Sequence, residues 1–167
     1  MKLSKSLLLL GGVLLYFLLG SAAISSPAVA VLRQHQDQPG IMRYHAQHSL
    51  QDKAGNAWQL VLFPQYQSGK LSGWNLRLVG FPGLAKLMHP QPLEVITAEG
   101  KLLTAADVFA ESAPAPNVGQ YDFTKILPRL PEDETLQLSV PVSGNHTLSL
   151  HISTSIVREW QLLAKEM

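Results

Sequence analysis

Cysteine is absent from all 167 residues of the chain. Its absence excludes disulfide bonds, thiolate metal sites, a cysteine nucleophile and a lipid-modified N-terminal cysteine. Many small exported domains depend on disulfides, but a domain of about 130 residues buries enough apolar surface to fold without them. The lack of cysteine therefore fits a bacterial or organellar space outside the cytoplasm better than an animal secretory pathway.

Clustered positive charge is also lacking. The chain has 13 Lys and Arg against 12 Asp and Glu, a net charge of +1, and its basic residues from Arg33 onward occur singly. Nucleic-acid binding requires clustered Lys and Arg, so the composition indicates no nucleic-acid partner. Removal of residues 1–30 would take away Lys2 and Lys5 but no acidic residue, and would leave a net charge of −1.

Motifs that carry catalysis or cofactor binding are missing as well. The sequence contains no G-x-S-x-G, P-loop, G-x-G-x-x-G or H-E-x-x-H motif. Among its six histidines, His45 and His48 are the closest pair, but residues three apart on a strand point to opposite faces. We therefore predict no catalytic residue, no cofactor and no metal site.

The first 30 residues have the three parts of a secretory signal peptide. Lys2 and Lys5 supply a positive start, residues 7–19 form an apolar run, and Ala28-Val29-Ala30 supplies a small-x-small exit. We predict cleavage after Ala30, which would leave a soluble domain outside the cytoplasm.

An uncleaved membrane anchor is the alternative. No charge occurs between Ser6 and Leu32, and residues 7–24 could nearly span a bilayer of about 30 Å at about 1.5 Å per residue. The densest apolar part, residues 7–19, is short for a span, so we favour cleavage. If residues 7–24 are retained, they are the part through which we expect the chain to contact the membrane.

Apolar and polar residues alternate from Ile41 onward, which is the pattern of half-buried strands. Turn residues separate these strands at intervals of roughly 8 to 12 residues, as in sandwiches and small barrels. We therefore predict one mainly β domain over residues 41–167, an antiparallel β-sandwich or small barrel. Pro141 cannot donate a ladder hydrogen bond, so we expect its strand at an edge or with a bulge. The predicted strands include residues 41–51, 57–63, 74–79, 93–97, 101–104, 136–142 and 147–152.

The two ends of the domain differ from this pattern. Residues 31–40 are rich in Gln and are predicted to be a polar leader between the export segment and the domain. At the C-terminus, Ile156, Trp160 and Leu163 lie at i, i+4 and i+7, which predicts an amphipathic helix of about ten residues. An isolated helix of that length is marginal in water and needs a surface to lie on. We interpret Trp160 as its core anchor, with an interface hot spot as the alternative.

Two other residues are candidates for function. Phe81 lies in the apolar, turn-forming segment Gly80-Phe81-Pro82-Gly83-Leu84 between two predicted strands. We interpret it as a cap on the core; the alternative is an exposed tip that docks a partner or a membrane surface. Asp122 follows Tyr121 in an apolar setting and is the acid to examine for a perturbed pKa, although structural hydrogen bonding is the favoured role.

Several motifs in a fixed order resemble a family. They comprise residues 49–50, 55–59, 76–83, 91–93, 117–122 and 159–161. Together they resemble a family of exported cyanobacterial proteins of unknown function, over about residues 40–163. The resemblance implies a cyanobacterial source and a thylakoid-lumen or periplasmic location. It implies no activity and no catalytic residues.

Three functions are consistent with these observations. The first is a non-enzymatic accessory or interaction protein, assisting a membrane complex such as a photosystem and contacting it through Phe81 or Trp160. The second is a small-ligand binder with aromatic walls. The third is a hydrolase that uses Asp122 with a histidine. The wall residues of the second would be Tyr44, Trp58, Trp74 and Tyr121.

Overall fold

The computed structural model describes residues 32–38, 41–144 and 146–167, with side chains from residue 45 onward. The predicted export segment, residues 1–30, lies outside the described residues. The elements are β1 (Leu32–Gln38), β2 (Ile41–Gln51), β3 (Ala57–Gln67), β4 (Lys70–Gly80), β5 (Leu93–Thr97), β6 (Leu102–Ala105), β7 (Val118–Asp122), a 3₁₀ helix (Leu127–Arg129), β8 (Leu136–Val142), β9 (His146–Ile152) and α1 (Thr154–Lys165).

The strands form two antiparallel sheets. One has five strands in the order β1-β2-β3-β4-β7, and the other has four in the order β6-β5-β8-β9. Strands make up most of the regular secondary structure, and no closed barrel is found in the described part of the chain. The prediction of a mainly β fold with a C-terminal helix is confirmed, and of the two predicted architectures the open pair of sheets is observed.

One hydrophobic core joins the sheets and the helix. In β3, the side chains of Trp58, Leu60 and Leu62 are buried and alternate with more exposed residues, as the period of two predicts. Leu138 and Leu150 face the same core from the second sheet. Burial of the inward face of each sheet is the main source of stability in such a fold.

Strand β1 occupies most of the segment for which the sequence predicts a polar leader. It pairs antiparallel with β2, from Leu32 opposite Ala46 to Gln38 opposite Ile41. Its residues are mostly polar, so backbone pairing with β2 defines the strand. Because β1 lacks alternating apolar residues, this pattern could not predict the strand from the sequence.

The β3–β4 hairpin is longer than predicted. Each strand has 11 residues, whereas the alternation predicts only residues 57–63 and 74–79. Ser68 and Gly69 join the strands with φ angles of 52° and 76°, as a type I′ turn requires at its two central positions. The distal part of the hairpin is mostly exposed, so it lacks the apolar alternation that marks a half-buried strand.

Pro141 lies in a central strand, because β8 has β5 on one side and β9 on the other. The expectation of an edge strand or a bulge is therefore wrong, since β8 pairs with β5 and β9 without a register shift. Pairing with β5 ends at Ser139, and the Pro141 carbonyl accepts a hydrogen bond from the Met88 N–H at 3.0 Å. Since N and C=O of one strand residue point to the same side, the missing N–H falls where the β5 ladder has already ended.

Helix α1 confirms the predicted amphipathic helix. Ile156, Trp160 and Leu163 are all buried, and the Trp160 ring meets the Phe123 ring edge-on with centroids 6.0 Å apart. The helix packs on β2 and on the 3₁₀ helix. Within the described ranges, no helix has the length and apolar character needed to cross a membrane.

Candidate functional site

Four connecting segments meet at one end of the molecule. The β-sheet register places Leu50, Trp58 and Gly80 side by side at this end. Backbone hydrogen bonds then join the segments: Leu87 N–H to the Pro116 carbonyl at 2.8 Å, and Ser143 N–H to the Lys86 carbonyl at 2.8 Å. We call this part of the molecule the loop end; it comprises residues 52–56, 81–88, 115–117 and 143–144.

The loop end carries the most exposed apolar side chains of the described residues. Phe81 is 60% exposed and Leu84 is 59% exposed. A turn holds both outward: Leu84 N–H donates to the Phe81 carbonyl at 3.2 Å, and Gly83 has φ +83°, which a side chain would strain. The interpretation of Phe81 as a cap on the core is therefore wrong, and the exposed-tip alternative describes its position.

The base of this tip is fixed. Gly80 N–H donates to the Asn117 carbonyl at 2.9 Å, and the Asn117 side-chain amide donates back to the Gly80 carbonyl at 2.7 Å. Leu87, three residues after Leu84, is buried in the core. A groove of about 400 Å³ runs between the segments and is lined by Pro82, Gly83, Leu84, Ala85, Lys86, Pro116, Asn117 and Ser143.

A histidine–aspartate pair anchors the other end of the 81–88 loop. His89 Nδ1 donates to Asp107 Oδ2 at 2.6 Å, and Asp107 Oδ1 accepts the Phe109 N–H at 2.9 Å. Asp107 is almost fully buried. Sequence reasoning missed this pair, because the two residues are 18 positions apart and no motif joins them.

Tyr121 lies beside this pair, through an isolated β-bridge between Asp107 and Tyr121. Burial raises the pKa of the Tyr121 phenol, and the negative charge of Asp107 raises it further, so the hydroxyl stays protonated. Within the described part of the chain, neither Tyr121 Oη nor His89 Nε2 has a hydrogen-bond partner.

An Asp–His pair can orient a general base where a nucleophile adjoins the second ring nitrogen. His89 Nε2 is buried and bonds no hydroxyl among residues 45–144 and 146–167. The observed contacts of His89 and Asp107 thus fix the end of the 81–88 loop against the β6–β7 connection.

Asp52 holds the neighbouring turn of the loop end. Its carboxylate accepts hydrogen bonds from the Ala54 and Asn56 N–H groups at 2.9 Å, from Asn56 Nδ2 at 3.0 Å and from Trp58 Nε1 at 3.2 Å. Burial alone would raise the pKa of Asp52, but these hydrogen bonds outweigh it and hold the pKa below its ordinary value. The negative charge of Asp52 therefore points into the molecule, and Lys53 is the exposed charge of this turn.

The chain matches, over residues 30–163, the model of a family described as "Protein of unknown function (DUF3122)". The chain belongs to this family. No curated protein and no solved structure matches it. A family of unknown function is thus confirmed for nearly all of the chain after residue 30, as the motifs predicted.

Three of the four residues predicted to form a ligand wall lie in the core of this family member. Trp58, Trp74 and Tyr121 are buried in the core, and the Trp58 ring lies against Gly80, where an added Cβ would meet it at 3.0 Å. None of the three lines the groove beside Phe81. The side chain of Tyr44 lies outside the described residues.

The other two candidate residues are also accounted for. Trp160 has no exposed surface, so it is a core anchor and the interface alternative is wrong for this fold. Asp122 is exposed, and its carboxylate accepts the Thr124 N–H at 2.9 Å, as in a turn. No group of three or more potential metal ligands is found among the described residues.

A second titratable pair lies away from the loop end, between β2 and α1. His48 Nε2 is 3.4 Å from Glu159 Oε2, and both side chains are nearly buried. Burial lowers the pKa of His48 and raises the pKa of Glu159. Both groups are thereby driven toward their neutral forms.

The Glu159 carboxyl predicts a specific pH dependence. Its folded-state pKa is above the ordinary value of 4.5, so the protein loses stability as pH rises from 4.5 through the folded pKa. Glu159→Gln cannot ionise. In urea unfolding we expect its unfolding free energy to match that of the wild type below pH 4.5 and to exceed it increasingly toward neutral pH. Glu99→Gln, at an exposed turn position, should show no such trend; a pH-independent difference for Glu159→Gln would contradict the assignment.

Proposed function

We propose that this protein is an exported, non-enzymatic interaction protein that acts outside the cytoplasm, in the periplasm or thylakoid lumen of a cyanobacterium. It docks through the loop end and assists a complex in the membrane. Export rests on the predicted signal peptide in residues 1–30, and the location rests on the motif resemblance.

One observation supports the docking role: the loop end presents Phe81 and Leu84 to solvent on a base that hydrogen bonds hold in place. Exposure of a large aromatic side chain costs the free protein stability, because its apolar surface remains in water. Rigid presentation also reduces the conformational entropy that is lost on binding. Exposed apolar groups on a fixed loop are typical of an interaction site.

The two other functions have weaker support. Of the eight residues that line the groove beside Phe81, only Lys86 is ionisable. Asp122, the acid of the hydrolase hypothesis, is exposed and occupied by its own turn. We therefore assign no substrate.

The docking role is tested with Phe81→Asp. Because Phe81 is largely exposed, the variant should keep the wild-type thermal midpoint, yet lose co-migration with a membrane complex on native gels of gently solubilised membranes. Co-migration would be detected with an antibody in a denaturing second dimension.

The matched control is Leu102→Asp. Leu102 is 54% exposed but lies in β6, opposite Ile96, far from the loop end. It should co-migrate like the wild type. Retained co-migration of folded Phe81→Asp would exclude Phe81 as the contact.

A further inference from the structure

The small size of the apolar tip, formed by Phe81 and Leu84, indicates which kind of surface the loop end binds. Phe81 and Leu84 are strongly exposed, Met88 is 36% exposed, and Leu87 is buried behind them. A stable protein–protein contact buries about 800 Å² on each partner; two or three separate side chains supply only part of that area, so contact with a membrane complex needs a further surface. A lipid bilayer has no such requirement, because a few apolar side chains can enter the boundary between headgroups and acyl chains.

The charge around the tip has one sign. Lys53 and Lys86 are both exposed at the loop end. The single acidic residue of the loop-end segments is Asp52, whose carboxylate faces inward to four hydrogen-bond donors. A loop end that carries an apolar tip and two exposed lysines is complementary to a surface of anionic lipid headgroups.

Strand β1 starts on the side of the loop end and runs away from it. Leu32, the first residue of β1, pairs with Ala46, and later β1 residues pair with progressively earlier residues of β2. Since β2 ends at Gln51, beside the Asp52 turn, the chain enters β1 from the side of the loop end. If residues 7–24 are retained as an anchor, the 12 residues between the apolar run 7–19 and Leu32 reach at most about 40 Å, which would keep the domain near the bilayer.

From the size of the apolar tip and the charge of the loop end we propose that the loop end binds the surface of an anionic lipid bilayer, with Phe81 and Leu84 entering the headgroup boundary and Lys53 and Lys86 contacting the headgroups. The inference rests on the proposed docking function and identifies the surface that the loop end contacts. Binding is reversible and weakens as salt screens the lysines.

The experiment places a fluorescent probe at the tip of the full-length chain. The variant Phe81→Trp is mixed with vesicles of phosphatidylcholine plus phosphatidylglycerol, and with phosphatidylcholine alone. Both vesicle types are also prepared with brominated acyl chains, which quench a nearby indole. The native Trp58, Trp74 and Trp160 are buried and give a constant background.

Leu102→Trp is the matched control. Leu102 lies near Thr97, which pairs with Leu136 at the start of β8, whereas the end of β8 meets Leu87. The seven residues of β8 separate the two probes by roughly 20 Å at about 3.3 Å per residue. Residues 7–24 would bind vesicles by themselves if they are retained. The readout is therefore the difference between the fluorescence responses at the two probe positions, and not the amount of protein bound.

We expect a blue shift and quenching for Phe81→Trp with the anionic vesicles, little of either with phosphatidylcholine alone, and none for Leu102→Trp. Lys53→Glu with Lys86→Glu, in the Phe81→Trp background, should weaken the anionic-vesicle response by roughly tenfold. An unchanged Phe81→Trp spectrum would overturn the inference, and so would equal responses at the two positions or with the two vesicle types.

Failure of the lipid inference can be separated from failure of the docking function. If the Phe81→Trp spectrum does not respond while Phe81→Asp still loses the native-gel complex, the loop end binds protein and only the lipid inference falls. If neither measurement responds, both proposals fall.

Discussion

Trp160→Ala is expected to lower the free energy of unfolding by about 4 kcal/mol. The indole is fully buried, it stacks edge-on against Phe123, and it joins α1 to the sheets. Truncation leaves a cavity the size of an indole and weakens the attachment of a helix that is marginal without its packing surface. Urea unfolding followed by far-ultraviolet circular dichroism measures the loss.

Two further substitutions test the cause. Leu162→Ala lies on the same helix, but Leu162 is 53% exposed, so its cost should stay within about 0.5 kcal/mol. Trp160→Phe should cost much less than the alanine variant: it keeps an aromatic ring and removes an indole N–H that has no hydrogen-bond partner in the described part of the chain. Equal losses for Trp160→Ala and Leu162→Ala would show that α1 is not anchored through Trp160.

The helix was predictable because its signal is local. Ile156, Trp160 and Leu163 repeat with the period of an α-helix. This spacing places them on one face of the helix, which predicts that this face is buried and the opposite face is exposed to solvent. The inward residues of β3 and β8 were predictable for the same reason, since a strand with one buried face alternates with a period of two. Helices and strands whose buried residues recur with a regular period can therefore be predicted from the sequence.

The site was less predictable because it is built from non-local contacts. The exposure of Phe81 depends on two hydrogen bonds between Gly80 and Asn117, which are 37 positions apart, and the His89–Asp107 pair joins residues that are 18 positions apart. Strand β1 has no apolar period at all. In each case a contact with a residue distant in the sequence determines the local structure. A single sequence does not specify which distant residue makes that contact.

Asp52→Ala is the other substitution expected to have a large effect, a loss of about 3 kcal/mol. The substitution removes the carboxylate that accepts hydrogen bonds from four donors. One of these donors, the Trp58 indole N–H, is buried in the core and has no other partner among the described residues. Asp52→Asn should also be destabilising, because its amide group would place a donor against the donors of Asn56 or Trp58. Urea unfolding at neutral pH measures both losses.

The matched control is Asp122→Ala, which removes an exposed carboxylate that accepts one backbone N–H and should cost much less. The pH dependence gives a second test. The pKa of Asp52 is below its ordinary value of 3.8 in the folded protein, so the stability that it contributes is present above pH 3.8 and is lost as pH falls through the folded pKa. The difference between the wild type and Asp52→Ala should therefore shrink in strong acid. A difference that persists there would mean that the turn is held by the shape of the side chain and not by its charge.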